Sequence, residues 1–174
     1  MSFTRRIHLL CLGAALLAVA GCGFQPIHGQ KSAASSAALA NFDIALIADR
    51  TGQMMRNELL RQMQPRGAVA SPRYGLGVAL TESLTDLAIR KDDVATRANL
   101  MLTARFSVMS RVDGSVLFSG QVRSVNSYNI LTSDFATLSA REDARKRAVR
   151  VLALDIKERL SVWLVQTGGR PVRR

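Results

Sequence analysis

Hydrophobic positions change period along this chain, and each change marks an element. Ile7 to Ala20 is an apolar run of fourteen residues, interrupted only by His8. From Asn41 to Ala48 the pattern alternates, with Phe42, Ile44 and Leu46 on one side, which predicts a first strand. The period then lengthens. Met55, Leu59 and Met63 recur every four residues, the spacing of one helix face. Asp49 or Thr51 can cap that helix, and Pro65 and Gly67 end it.

Period two returns for three strands. Tyr74, Leu76, Val78, Leu80 and Leu84 share one face of the first, opposite Gly75, Gly77, Ala79, Thr81 and Ser83. Glu82 falls among the apolar positions of that strand and marks a bulge or a strand end. In the next, Ala98, Leu100, Leu102, Ala104, Phe106 and Val108 point one way. Arg97, Asn99, Thr103, Arg105, Ser107 and Arg111 point the other, broken by Met101 and Met109. Asp113-Gly114 reads as a two-residue hairpin turn with φ > 0 at both central positions. The last strand runs from Ser115 to about Ile130, with Val116, Phe118 and Val122 inward and Ser119, Gln121 and Arg123 outward.

Ser133 or Asp134 caps a long final helix. Its apolar stripe is Ala144, Ala148, Leu152, Ile156, Leu160 and Trp163, and Gly168-Gly169 stops it. The order is β-α-β-β-β-α. This predicts an α+β fold: a small mixed, mostly antiparallel four-stranded sheet with two helices packed on one face. A helical crossover makes the first strand parallel to the second, and hairpins make the other pairs antiparallel. The uncovered face is then polar and carries arginines.

The apolar run at the amino terminus is too short to span a bilayer, which takes about 20 residues. Arg5 and Arg6 precede it and Val19-Ala20-Gly21-Cys22 follows it. This is the form of a bacterial lipoprotein signal, in which the Cys thiol carries diacylglycerol and small residues fit the peptidase. Residues 1–21 are therefore expected to be a signal peptide, with Cys22 the lipidated residue and a palmitate-type acyl anchor holding the chain to the membrane. Residues 22–40, rich in Ser and Ala from Lys31 on, read as a tether, and 41–174 as a single domain.

Composition narrows the chemistry. The 174 residues are 48% apolar, enough for one core. Lys+Arg number 24 against 13 Asp+Glu, a net charge of +11, with four Lys and the rest Arg. Loss of Arg5 and Arg6 with the signal lowers the excess from +11 to +9. Of two Cys and two His, Cys11 and His8 leave with the signal, Cys22 is lipidated, and His28 lies beside the anchor. No thiol or imidazole is left for the domain, which excludes Cys–His and Ser–His–Asp catalysis and a His-based metal site. No carboxylate pair stands out among Glu82, Asp86, Asp92 and Asp93, so an enzyme and a cofactor are not expected. Aromatics are only 5%, and the polar sheet face offers none for base stacking, so nucleic acid is not the expected partner.

Several pieces, in order, resemble one family. They are Gly21-Cys22-Gly23-Phe24-Gln25-Pro26 with Gly29, Asp49-Arg50 with Asn57-Glu58-Leu59, and Tyr74-x-Leu76. Ala95-Thr96-Arg97, Gly120, Ser127-Tyr128-Asn129 and Glu142-Asp143-Ala144 follow. Together they resemble the lipopolysaccharide-assembly lipoprotein family LptE in its alphaproteobacterial form. The resemblance implies a non-enzymatic outer-membrane lipoprotein that plugs the β-barrel LptD, assists its assembly, and helps deliver lipopolysaccharide to the outer leaflet. Gly23 after the Cys agrees with outer-membrane sorting, since retained lipoproteins usually carry Asp there. A periplasmic auxiliary lipoprotein of a lipid transport system is the alternative, and it requires an apolar groove.

Lipid phosphates give the arginine excess an obvious anion, because a planar guanidinium bonds phosphate oxygens in pairs. The candidate lipopolysaccharide-facing set is Arg97, Arg105 and Arg123 on one sheet face, with Arg90 and Lys91 in the loop before. The competing reading is a solvated face, or one paired with barrel carboxylates. Tyr128 and Asn129, at a strand end, are candidate barrel contacts or turn formers.

Overall fold

The computed structural model describes residues 37–89 and 95–171, with the side chains of 86–89 and 95–96 excepted. Six elements follow in the expected order. They are β1 (Phe42–Ile44), α1 (Asp49–Met63), β2 (Tyr74–Ile89), β3 (Ala95–Ser110), β4 (Val116–Asn129) and α2 (Asp134–Thr167). The strands lie side by side as β1-β2-β3-β4, with β1 parallel to β2 and the other pairs antiparallel. The α+β fold is therefore the one that the alternation of periods implies.

Register puts the apolar sets of the strands on one face. Leu76 pairs with Val108, and Val108 with Phe118; Leu80 pairs with Ala104, and Ala104 with Val122. Met55, Leu59 and Met63 of α1 join them, and so do Ala144, Ala148, Leu152, Ile156 and Leu160 of α2, in one continuous core. Both helices thus cover the same side of the sheet. Ser133 caps α2, its hydroxyl accepting from the Ala136 N–H at 3.4 Å. Gly168 ends α2 in the left-handed conformation, φ 61°, which glycine adopts without steric cost.

At one end of the core the scarce aromatics gather. Phe118 stacks on Trp163 with centroids 5.7 Å apart and planes 5° from parallel. Tyr74 meets Trp163 edge-on at 5.5 Å, and Phe42 does so at 6.5 Å. One indole thereby ties β1, β2 and β4 to α2.

Four local expectations change. β1 is three residues long rather than eight, because the chain leaves the sheet once Ala45 N–H has bonded Leu76 C=O. Leu46 is then exposed and Ile47 turns inward. Neither Asp49 nor Thr51 caps α1: Ala48 is the N-cap and has no side-chain bond, and Asp49 sits at φ 67°. The β3–β4 connection runs over Arg111–Ser115, and the bond from Ser110 N–H to Ser115 C=O encloses four residues of it rather than two. Only Gly114 in it has positive φ; Asp113 instead accepts from the Ser115 N–H and hydroxyl. Finally, the fold begins before residue 41, since a helical turn at 37–39 buries Leu39 in the core.

Ile47 also fixes the start of α1. A Cβ on Gly52 would stand 2.8 Å from the Ile47 carbonyl carbon and oxygen. Alanine normally favours a helix over glycine by about 1 kcal/mol. Here the backbone contact reverses the sign. Gly52→Ala should destabilise the domain by about 1–3 kcal/mol in urea unfolding, the usual range for overpacking.

The uncovered sheet face as candidate functional site

The face away from the helices is built by the odd-numbered residues of the three long strands, up to the register shifts after Asp86 in β2 and at Leu117 in β4, where Leu117 packs on the core. On β2 they are small: Gly75, Gly77, Ala79, Thr81 and Ser83. On β3 and β4 they are longer and mostly polar, with Met101, Met109 and Val125 as apolar breaks. Among the described strand residues, Arg97, Arg105 and Arg123 lie on this side, Arg111 of the following loop reaches it, and Asp43 of β1 is the carboxylate that Arg111 meets. Arg111 passes over Gly75, its Cδ 3.7 Å from where a Cβ would stand, and pairs with Asp43 at 3.1 Å.

Arg105 and Arg123 come together. Thr103 is the partner of Arg123, so Arg105 is its diagonal neighbour on the same face. Such neighbours have Cα atoms about 7–8 Å apart, well within the reach of two guanidinium groups bonding one phosphate. Arg105 Nε donates to Gln121 Oε1 at 3.0 Å, and this bond holds its stem against β4. Both arginines are exposed, and among the described residues no acidic side chain is paired with either.

Arg97 shares the face but not the place. Its register partner is Asn129, six positions along the strand from the Thr103–Arg123 pair. At about 3.4 Å per residue that is about 20 Å away. Arg90, Lys91 and Cys22 lie outside the described residues. Tyr128 points to the other side: it is half-buried and packs on the core. Asn129 is exposed on the uncovered face beside Arg97.

The helix side holds an ionic group that no strand pattern revealed. Arg145 of α2 donates from Nε and Nη2 to both Glu82 oxygens at 2.7 Å, and from Nη1 to Glu142 at 2.5 Å. The Arg145 bonds hold the Glu82 carboxyl below its ordinary pKa of 4.5, against the opposing effect of burial. The same bonds push Arg145 upward. Glu82 is therefore neither a bulge nor a strand end; it is an inward carboxylate held by a guanidinium. Its phase with Leu80 and Leu84 was the visible signal, but its partner lies 63 residues away.

Two clefts lined by described residues measure about 320 and 270 Å³. That is at the low end even for a drug-sized ligand, so neither offers the groove that a carrier of acyl chains needs. No three potential ligands among His, Cys, Asp and Glu converge within the described residues. No helix in this part is long and apolar enough to cross a membrane.

These features define a class: a single sheet backed by two helices on one side, with an arginine-bearing face left open on the other. The chain belongs to the LptE family of lipopolysaccharide-assembly proteins, whose model matches residues 38–160. This is a non-enzymatic lipoprotein family. No curated protein matches the chain significantly.

Solved structures share the fold. One from Caulobacter crescentus, assigned to the lipoproteins, aligns with TM-score 0.65 at 18% identity, over 78% of this chain and 98% of that one. A minor lipoprotein of Acinetobacter baumannii aligns with TM-score 0.57 at 16% identity, over 76% and 95%. A lipoprotein B of Nitrosomonas europaea aligns with TM-score 0.57 at 13% identity, over 83% and 94%.

Proposed function

We propose that this protein is an outer-membrane lipoprotein of lipopolysaccharide export, anchored through Cys22 and seated in an LptD-type β-barrel. There it supports barrel assembly and presents its open sheet face to lipopolysaccharide phosphates. The observation that carries this reading is the Arg105–Arg123 pair, two exposed guanidiniums on adjacent strands of a lipopolysaccharide-assembly family member. Lipid A phosphates match their paired N–H geometry, and the sheet backing fixes their spacing.

Purification in mild detergent from native membranes tests the assembly half. The expected result is a stoichiometric complex with an outer-membrane barrel; a monomer free of any barrel overturns it. The double variant Arg105→Glu/Arg123→Glu tests the ligand half. Both side chains are exposed, so stability should move by no more than about 0.5 kcal/mol. Lipopolysaccharide retention should fall about tenfold or more, since each charge-assisted bond contributes about 1.5–3 kcal/mol. Arg97→Glu alone should have a smaller effect, because Arg97 stands apart from the pair. Equal retention by the double variant and the parent removes the assignment.

A further inference from the structure

β2 is sixteen residues long, yet β1 covers it only over Tyr74–Leu76. Beyond that point one edge of β2 has no strand partner among the described residues. The hydrogen bonds at its start show which groups are left. Tyr74 N–H bonds Asn41 C=O, and Leu76 C=O accepts from Ala45 N–H, so even-numbered residues face the β1 side. By alternation, the N–H and C=O groups of Val78, Leu80 and Glu82 point out of the sheet.

Such an edge usually carries a lysine, a proline or a bulge that discourages pairing. Gly77–Ser83 has none of them; its register shifts begin only at Asp86, and its one charge, Glu82, is turned inward to Arg145. Beside the edge on the helix side lies the 320 Å³ cleft, lined by Ile47, Thr51, Gly52, Val78, Leu80 and Glu82.

We propose that the free edge of β2 over Gly77–Ser83 is a strand-addition site for an extended acidic segment of a partner polypeptide. The incoming strand would run in line with β1. Its alternate residues, apolar and of valine or leucine size, would enter the cleft against Val78 and Leu80. The residues between them would lie on the open face beside Ala79, Thr81 and Ser83.

Charge selects their nature. β1 already shows the pattern, for its outward residue is Asp43 and an arginine crosses a side-chain-free position to reach it. Further along, Arg105 stands opposite Ala79, another small residue; its Nε is bonded to Gln121 of β4, and that bond would be exchanged for one to an acidic residue of the incoming strand. Charge also disfavours a second copy of this chain. Edge-to-edge pairing of two copies would set two arginine-bearing faces side by side in a protein of net charge +11.

The inference does not depend on the partner being a barrel. The test is hydrogen exchange resolved to single amides, on the full chain extracted from native membranes with whatever co-purifies, and again after separation. The amides of Val78, Leu80 and Glu82 should exchange about tenfold or more slower in the extracted material than in the separated chain. Equal rates in the two samples overturn the proposal, including the case where nothing co-purifies. Protection already present in the separated chain also overturns it, assigning the edge to a second copy or to the chain's own amino-terminal segment.

A pair of variants gives a second readout. Leu80→Ala and Leu80→Pro lose the same side chain, and neither breaks a bond to β3, because Leu80 N–H faces the free edge. Only proline removes the edge donor. Leu80→Pro should retain about tenfold less partner than Leu80→Ala, and equal retention contradicts the assignment. Exchange unchanged in a barrel-bearing complex sinks strand addition while leaving the barrel reading intact.

Discussion

Replacing Trp163 with alanine should destabilise the domain by about 3–5 kcal/mol, the range for removal of a buried large aromatic. The indole is 3% exposed and contacts three other rings. Its Nε1 donates to the Arg170 carbonyl at 3.1 Å, so the cavity would also orphan an acceptor from the chain after α2. The elements that would loosen first are β1 and the α2 end, because Phe42 and Tyr74 reach the helix through this ring. Urea unfolding followed by circular dichroism measures the loss; fluorescence cannot, since Trp163 is the sole tryptophan. Trp163→Phe keeps a ring against Phe118 and should cost less than half as much. A loss below about 1 kcal/mol for the alanine variant would mean that the cluster is not what joins the sheet to α2.

Arg145→Met should cost about 2–3 kcal/mol. Breaking a fully buried pair from one side costs about 3–5 kcal/mol, and this pair retains some water, with Arg145 at 11% and Glu82 at 24% exposure. The substitution keeps the stem and leaves Glu82 and Glu142 facing one another without their cation. Glu82→Gln is the milder companion, because it preserves the shape and one acceptor.

The pair also makes stability depend on pH. The Glu82 carboxyl titrates lower in the folded chain than in the unfolded one, where its pKa is near 4.5. Its contribution is therefore complete above that value and disappears as pH falls through the folded pKa. The parent should lose more stability than Glu82→Gln between pH 6 and about pH 3. Parallel pH profiles for the two proteins would show that the bond to Arg145 does not form in solution. Glu58, held low by Arg61 on the surface of α1, contributes to both proteins alike and cancels in the comparison.

The strands β2 to β4 and the helix α2 were legible in the sequence because each is long and keeps one period over most of its length; Val116, expected inward, is exposed because a register shift after Val108 sets it opposite Met109. All six residues of the apolar stripe of α2 are buried. Where the sequence misleads, two readings of the same residues compete locally. Leu46 continues the alternation of Phe42 and Ile44, but the strand has already ended. Asp113-Gly114 fits a tight turn by composition, yet the loop closes over four residues.

The site was legible in its facing and not in its spacing. Period two puts Arg97, Arg105 and Arg123 on one side, but a strand repeats its facing every second residue along its whole length. Only the β3–β4 register sets Arg123 beside Arg105 and leaves Arg97 about 20 Å off.

The sequence by itself determined the class of element at each position, the face each strand would bury, the scarcity of catalytic side chains and the arginine excess. All of these are properties of neighbours along the chain, where periodicity and composition act. The tertiary structure decided which charges meet. Glu82 finds Arg145 across 63 residues, Arg111 finds Asp43 across a glycine, and β1 stops short and leaves an edge of β2 open. Such pairings depend on register and on where the chain leaves the sheet, and those are fixed by the packing of the whole core.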